Sequence, residues 1–154
     1  MMLAAILSAH PQMHGTLFDL PGVVAGAKSV LEQRGVIDRC NIVGGSFFEA
    51  VPEGRDAYIM RVVIHDWEDD EAVAILRTCR RTMNEAAKLI LIERIVAPPN
   101  EIPTTKFSDL NMLVLPGGRE RTREEFSDLF AKSGFELSRV APAGNVNVIE
   151  ARPC

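Results

Sequence analysis

The feature of this sequence that most restricts its fold is the alternation of short apolar runs with longer amphipathic segments. The runs have the length of β-strands, and most of the segments between them carry apolar residues at helical spacing. In chain order the runs are Thr16–Asp19, Asn41–Val43, Ala57–Val63, Lys88–Glu93, Phe135–Val140 and Asn145–Ala151. A turn at Pro142–Gly144 joins the last two. This order predicts an α/β fold whose sheet has a parallel core and a closing antiparallel hairpin.

The segments between the runs predict the helices. Helical spacing of apolar residues covers Met2–Ala9, Val23–Gln33, Glu68–Asn84, Phe107–Leu115 and Thr122–Lys132. The last of these should begin with a capping box, because Glu125 follows Thr122 at the spacing that lets each side chain bond the other's backbone amide. Ala57–Val63 is almost continuously apolar, which is typical of a strand that is buried on both faces.

Charge and composition exclude several classes of protein. The chain has 17 Lys+Arg against 21 Asp+Glu and a net charge of −4, so we expect no nucleic-acid partner. No run approaches the ~20 apolar residues of a membrane span, and the N-terminus lacks the basic residues of a signal peptide. The three cysteines form no CxxC pair, which argues against a disulfide scaffold or a zinc ribbon. We expect a reduced cytoplasmic protein without membrane contact.

The start of the chain is unusual for this fold class. A nucleotide-binding α/β domain ordinarily opens with a strand and a glycine-rich turn before its first helix. Here Met2–Ala9 reads as that helix alone, so we expect residues 1–154 to be one partial domain that lacks its first strand and glycine-rich loop. The absent strand would leave an unpaired sheet edge, which favours self-association. Asp19, at the end of the next strand, lies where such folds bind a ribose.

His65 is the first candidate for chemistry. It opens the triplet His65-Asp66-Trp67 directly after the strand Ala57–Val63. Ligands of parallel sheets bind at the carboxyl ends of the strands, and a histidine with its ordinary pKa of ~6.5 can accept a proton there near neutral pH. The alternative is a histidine that caps a helix or packs in the core.

Two acids could act with this histidine. Glu93 ends an apolar strand, and a carboxylate buried there needs a partner such as an imidazole N–H. The alternative is a solvated strand end beside Arg94. Glu120 lies within Gly117-Gly118-Arg119-Glu120-Arg121-Thr122, where the flanking arginines should keep it ionised. That segment could equally be an exposed loop with surface ion pairs.

Three further observations are weaker. Gly44-Gly45-Ser46-Phe47-Phe48 ends a strand, and its amides and rings could flank a flat heterocycle, or could be a turn with two core aromatics. Met112 could face an apolar substrate, although its spacing also suits the core. The histidines have no metal-ligand spacing to one another, so no metal site is expected.

Taken together in this order, these motifs resemble the C-terminal catalytic domain of small-molecule O-methyltransferases. The family includes caffeate, hydroxyindole and bacterial polyketide-tailoring enzymes that depend on S-adenosylmethionine and need no metal. The resemblance extends from Met1 to Cys154, and it implies a Rossmann-like class I methyltransferase sheet. It also implies a small hydroxylated acceptor, aromatic or polyketide-like, and a homodimer.

The resemblance implies a role for each motif residue. His65 resembles the general base, and Glu93 and Glu120 resemble the acids that flank and orient it. The residues that match cofactor-binding positions are Asp19 for the ribose, the turn residues Gly45, Ser46 and Phe47 near adenine, and Arg61 where many members have a lysine. Trp67 and Met112 match positions that line the acceptor pocket.

The sequence also departs from the family pattern. Ser46 stands where plant members usually have Asp, which alters one adenine contact. The family's glycine-rich loop falls upstream of Met1, as does the helical N-terminal domain that normally supplies the dimer interface and part of the acceptor pocket. A truncated, non-catalytic remnant or interaction protein of the same fold is therefore an alternative. A nicotinamide-dependent Rossmann protein is a second alternative. Against it, the chain has no GxGxxG motif, and such a function would not explain the segments around His65 and Glu120.

Overall fold

The computed structural model describes residues 1–101, 103–114 and 117–154. They form two compact units, Met1–Pro52 and Glu53–Cys154, each with its own sheet. Within these described ranges, none of the helices combines the length and apolar character needed to cross a bilayer.

The first unit is built around two parallel strands. Its elements are α1 (Met2–Ala9), β1 (Gly15–Asp19), α2 (Pro21–Val24), α3 (Ala27–Gln33), a 3₁₀ turn (Ile37–Arg39) and β2 (Cys40–Gly44). β1 and β2 pair in parallel with Asp19 opposite Gly44. The predicted single helix Val23–Gln33 is wrong, because the chain forms two helices that start at Pro21 and after Gly26.

A small apolar core and one arginine hold the first unit together. The residues of this cluster come from α1, α3, the residue before the 3₁₀ turn and β2: Ala4, Leu7, Leu31, Val36 and Cys40. The Arg39 guanidinium donates to the carbonyl oxygens of Leu7, His10 and Met13 at 2.9, 3.2 and 2.8 Å. Because a helix ends in unpaired carbonyls with partial negative charge, this cation fixes the end of α1.

The second unit carries a four-stranded mixed sheet. Its elements are β3 (Ala57–Arg61), a 3₁₀ turn (Ile64–Asp66), α4 (Asp69–Thr82), β4 (Lys88–Glu93), α5 (Pro103–Val114), α6 (Arg123–Lys132), β5 (Phe135–Ala143) and β6 (Val146–Pro153). The strand order is β3-β4-β6-β5. β3 and β4 are parallel, whereas β6 runs antiparallel to both of its neighbours. The predicted α/β class and closing hairpin are confirmed.

The prediction for β3 needs correction. The strand ends at Arg61, two residues earlier than expected, because Val62 takes a positive φ of 50° that leaves the β region. It is also not buried on both faces, since exposed residues alternate with half-buried ones. β3 is the end strand of its sheet and pairs with β4 alone in that strand order, so alternation is the expected pattern.

Local signals predicted other elements well. The strand Lys88–Glu93 is confirmed, and Thr122 and Glu125 form the predicted capping box. The final turn is shorter than expected, because β5 continues through Pro142 to Ala143. A proline is tolerated there since β5 lies at the other end of the sheet. The helix predicted over Phe107–Leu115 is α5, which begins earlier, while Leu115 and Pro116 lie outside the described residues.

Candidate active site

The path of the chain after β3 places His65. Val62 donates its amide to the Ile92 carbonyl at 3.0 Å, and the next two amides, of Val63 and Ile64, both donate to Glu93 Oε1 at 2.9 Å. The 3₁₀ turn that follows presents His65, which is only 8% exposed. Glu93 therefore joins the end of β4 to the turn that carries the histidine.

Val62 marks backbone strain at this place. A β-branched residue with φ of 50° is a conformational outlier, and such positions cost about 1–3 kcal/mol. They persist where surrounding bonds fix the backbone, as Ile92 and Glu93 do here. The strained residue is the one that redirects the chain from the strand toward His65.

The two other predicted catalytic residues, Glu93 and Glu120, lie beside His65. Its Nδ1 lies 3.6 Å from Glu93 Oε2 and 3.5 Å from Glu120 Oε1, and its Nε2 lies 3.3 Å from Asp66 Oδ1. Glu93 is 0% exposed and Glu120 is 2% exposed, so the alternative of a solvated strand end at Glu93 is wrong. At these distances the predicted imidazole-to-Glu93 hydrogen bond is not made, and the imidazole forms ion pairs with the two glutamates only when it is protonated.

The two glutamates have opposite acid–base character. Burial raises the pKa of Glu93, although His65 and the two amides on Oε1 oppose the rise. Burial also acts to raise the pKa of Glu120, but His65, Ser108 and Arg94 outweigh it and lower that pKa. Glu120 is therefore the more persistent negative charge, and Glu93 is the carboxyl that takes up a proton more easily.

The pKa of His65 is raised above its ordinary value. The interaction with Glu120 is the largest cause, burial opposes it, and the charges of Glu93 and Asp66 add to the rise. An imidazole with this environment holds a proton more firmly than one in water. The surroundings therefore stabilise an imidazolium at this position.

The lowered pKa of Glu120 agrees with the prediction that it stays ionised, but the predicted arginine partners are wrong. Arg119 pairs with Glu125 and Asp69, and Arg121 also pairs with Asp69. Instead Ser108 Oγ donates to Glu120 Oε1 at 2.7 Å, and Arg94 Nη1 lies 3.5 Å from the same oxygen. Successive side chains of an extended segment point to opposite sides, so neighbours in sequence are poor partners.

Arg121 is a site residue that the sequence did not reveal. It is 1% exposed, and its guanidinium donates to the carbonyls of Ile64 (3.0 Å) and Trp67 (2.9 Å) and to Asp69 Oδ1 (2.8 Å). These acceptors lie on either side of His65 along the chain. Arg121 therefore clamps the turn that carries the histidine.

Gly118 allows the segment before Arg121 to pack closely against the turn that carries His65. The Arg119 amide donates to the His65 carbonyl at 2.8 Å, and a Cβ placed on Gly118 would overlap that carbonyl and the backbone of Asp66. Only glycine allows this approach. The alternative of an exposed loop is therefore wrong for this segment, since Gly118, Glu120 and Arg121 are all buried.

Trp67, Met112 and Arg61 are less constrained. Trp67 and Met112 are half-buried, the latter on α5, and Arg61 is exposed at the end of β3. The Trp67 carbonyl is an acceptor of Arg121, so its backbone belongs to the clamp. The predicted roles of these residues in substrate or cofactor binding stay predictions.

The first unit has a pocket at the carboxyl ends of its strands. Asp19 Oδ1 accepts the Leu20 amide at 2.8 Å, and the Asp19 carbonyl accepts the Gly45 amide at 3.0 Å. Beside this connection lies an open pocket of about 310 Å³, a size typical of small-molecule sites. Its lining residues are Phe18, Val43, Gly44, Gly45, Ser46, Glu49, Ala50, Val51 and Pro52.

The glycine and aromatic residues of this turn have distinct tasks. A Cβ on Gly45 would lie 2.8 Å from the Phe18 ring, so a side chain there would displace the ring. Ser46 Oγ accepts the Phe48 amide at 3.3 Å, which starts the turn. Phe47 and Phe48 stack at a tilt with centroids 5.1 Å apart. Phe48 is 39% exposed and Phe47 half-buried, so they are not the core aromatics of the alternative.

The acid–base cluster also has the composition of a cation site. His65, Glu93 and Glu120 each offer one atom, and these atoms lie within 4.8 Å of one another. Oε1 of Glu93 already accepts two amides, and Oε1 of Glu120 accepts Ser108. The expected absence of a metal stays a prediction.

Comparison with known proteins identifies the family. A family model described as the O-methyltransferase domain matches residues 1–136. The phenazine O-methyltransferase PhzM of Lysobacter antibioticus is 48% identical over 99% of this chain and 45% of its own length. The 8-amino-8-demethylriboflavin N,N-dimethyltransferase of Streptomyces davaonensis is 39% identical over 97% of this chain and 44% of its own length.

A solved structure agrees with these matches. The O-methyltransferase NcsB1 from neocarzinostatin biosynthesis, in complex with S-adenosylmethionine and 2-hydroxy-5-methyl naphthoic acid, superposes with a TM-score of 0.91 at 33% identity. The match covers 99% of this chain and 45% of that one, so the chain spans less than half the length of these relatives. By sequence and by fold, the chain belongs to the O-methyltransferase domain family.

Proposed function

We propose that this chain is the catalytic part of an S-adenosylmethionine-dependent O-methyltransferase that acts on a hydroxyl of a small aromatic molecule, with His65 as the general base. The observation that carries the proposal is the buried imidazole between two glutamates, Glu93 and Glu120. Membership of the O-methyltransferase domain family supports the reaction class.

The geometry of His65 suits the acceptance of a proton. Nδ1 faces both glutamates, and their negative charge favours a proton on that nitrogen. Two carboxylates face Nδ1, whereas one, that of the exposed Asp66, lies 3.3 Å from Nε2, so we assign the lone pair for the acceptor hydroxyl to Nε2. A phenolic hydroxyl has a pKa of ~10 and is mostly neutral at pH 7, so its proton must be removed as the oxygen forms its new bond.

The charges around the imidazole complete the step. When the acceptor O–H bond breaks, its proton passes to Nε2 and the oxygen's electron pair becomes available for the bond to the methyl carbon. Glu93, Glu120 and Asp66 stabilise the imidazolium that results. S-adenosylmethionine, when bound, supplies the methyl group on a sulfonium and leaves as the thioether.

The first unit fits the adenosine part of the cofactor. The pocket beside Gly45 is open and mostly apolar, which suits a flat ring, and Phe18 lies against that glycine. Asp19 ends the neighbouring strand with a carboxylate that can accept hydrogen bonds from both ribose hydroxyls. We assign adenine contacts to Ser46 and Phe47, and a supporting role near the cofactor to Arg61.

Calorimetric titration of the 154-residue chain with S-adenosylhomocysteine tests the cofactor site. We expect one-to-one binding that Asp19→Asn weakens at least ~10-fold, which corresponds to ~1.4 kcal/mol. Asp38→Asn is the matched control, since Asp38 is an exposed acid in the same unit. Equal affinity of the two variants, or no binding by the folded chain, would contradict the assignment.

Methyl transfer from labelled S-adenosylmethionine to 2-hydroxy-5-methyl naphthoic acid and related phenols tests the general base. We expect His65→Ala to lower turnover by ~10²–10⁴-fold, the usual share of general-base catalysis. His14→Ala, in an exposed residue, should leave turnover unchanged. A chain that binds cofactor but transfers no methyl group would favour the non-catalytic remnant.

An aromatic amine is the second candidate acceptor. The observation that favours it is the 39% identity to an N,N-dimethyltransferase of a riboflavin derivative. Mass spectrometry of products from paired phenol and aniline acceptors distinguishes the two. If the anilines are methylated and the phenols are not, the acceptor group is an amine and the proposed hydroxyl acceptor is wrong.

A further inference from the structure

One side chain of α5 contacts the acid–base cluster from outside it. Ser108 Oγ donates to Glu120 Oε1 at 2.7 Å and accepts a hydrogen bond from Arg94 Nη1 at 2.8 Å. An arginine can only donate, so it fixes the direction of the hydroxyl proton toward the glutamate. The hydroxyl is therefore inserted between a guanidinium and a carboxylate of opposite charge.

The same glutamate oxygen also faces the histidine. Glu120 Oε1 lies 3.5 Å from His65 Nδ1 and 3.5 Å from Arg94 Nη1. The imidazole and the guanidinium thus share a single carboxylate oxygen, and Ser108 occupies the arginine side of it. Without the hydroxyl, the arginine could move against the glutamate directly and draw it away from the imidazole.

Helix α5 holds Glu120 at a second point. Asp109, the next residue of the helix, accepts the Glu120 amide on Oδ1 at 2.8 Å. Adjacent side chains of α5 therefore fix both the backbone and the carboxylate of Glu120. The ion pairs of His65 are with Asp66, Glu93 and Glu120, so the hydrogen bonds of Ser108 and Asp109 act on the imidazole through Glu120.

We propose that Ser108 is a positioning residue for His65, because its hydroxyl holds Glu120 Oε1 beside the imidazole and keeps Arg94 at a distance from it. The importance of this arrangement for methyl transfer rests on the proposed function of His65. The charged groups that face His65 are Asp66 on its own turn and Glu93 on β4, with Glu120 on the clamp segment. Arg94 acts on the imidazole through Glu120.

The test measures the ionisation of His65 by NMR titration of the folded chain. The sequence has three histidines, so His10 and His14 serve as internal references. We expect Ser108→Ala to lower the pKa of His65 by about half a unit to one unit, a loss of up to ~10-fold in proton affinity. Ser108→Thr keeps the hydroxyl and should restore the original value.

Thr105→Ala is the matched control. Thr105 lies on the same helix, and its hydroxyl oxygen accepts the Ala97 amide at 3.2 Å, so Thr105→Ala removes a hydrogen bond of α5 at a different place. An equal shift in Thr105→Ala, or no shift in Ser108→Ala, would overturn the proposal. Removing the arginine as well supplies a second check, because Ser108→Ala should have little effect in an Arg94→Gln background.

This readout does not depend on methyl transfer. If the titration behaves as expected while His65→Ala retains full turnover, the positioning role stands and the general-base function fails. If His65 is the base, Ser108→Ala should also shift the acidic limb of the pH–rate profile downward and lower kcat more than it raises KM.

Discussion

The clamp around His65 gives a sharp prediction for stability. Arg121→Met keeps a side chain of similar length but removes every donor that Arg121 offers. The carbonyls of Ile64 and Trp67 then lose their bonds of 3.0 and 2.9 Å, and Asp69 loses its cation. The substitution removes the donor of a buried hydrogen-bond network and leaves its acceptors in place.

The magnitude follows from the state in which each acceptor is left. The Ile64 carbonyl still accepts the Trp67 amide at 3.3 Å, and Trp67 is only half-buried, so the cost is the loss of two hydrogen bonds from a charged donor, each about 1–3 kcal/mol. Asp69 adds little, because its side chain is 46% exposed and water can hydrate it. We therefore expect the free energy of unfolding to fall by roughly 2–5 kcal/mol, a large part of the ~5–15 kcal/mol typical of a domain.

Urea unfolding followed by tryptophan fluorescence measures this loss. Trp67 is the single tryptophan of the chain and its carbonyl belongs to the clamp, so the signal reports on the unit in question. Arg119→Met is the matched control, since Arg119 is 36% exposed and its ion pairs with Glu125 and Asp69 should contribute at most ~1 kcal/mol. Equal losses in the two variants would refute the argument that burial of Arg121 decides the difference.

Three further predictions use other features of the same unit. In urea unfolding, the free energy of unfolding of Val62→Gly should be at least ~1 kcal/mol higher than that of Val63→Gly, because glycine relieves the positive φ of 50° at Val62 and Val63 has a negative φ. Equal free energies in the two variants would argue against strain at Val62. Gly118→Ala should lower stability by ~1–3 kcal/mol in thermal melts, since its Cβ would overlap the His65 carbonyl, whereas Gly22→Ala meets nothing within 4 Å and should stay within ~0.5 kcal/mol. The raised pKa of His65 means that the native state binds more protons than the unfolded state above pH ~6.5, so stability should fall as pH rises from there through the native pKa. His65→Gln should flatten that fall and His14→Gln should not; a slope that survives in His65→Gln would assign the pH dependence to another group.

Local patterns predicted much of the second unit. The strand Lys88–Glu93 has four consecutive apolar residues between two charged ones, and the capping box of Thr122 and Glu125 depends on residues three positions apart. Such signals can be read from sequence because the interactions that form these elements act between near neighbours. The same holds for the closing hairpin, although its turn is shorter than the sequence suggested.

Side-chain partners were predicted less well. The arginines beside Glu120 looked like its natural partners, yet the glutamate pairs with Arg94 and Ser108 from two other segments. Arg121 gave no signal of its buried role, because its acceptors are backbone carbonyls more than fifty positions away. A backbone carbonyl has no sequence identity, so no motif can reveal that contact.

The sequence by itself determined the fold class, the family and the identities of the three groups at the acid–base cluster. Apolar periodicity and the order of motifs can be read directly from the order of residues along the chain. The tertiary structure alone decided how those groups are used. Glu93 accepts two backbone amides on one oxygen, Val62 bends the chain toward His65, and Arg121 holds the turn in place. These features arise where distant segments meet in a space that excludes water. There each buried donor or acceptor must find a partner wherever the fold supplies one.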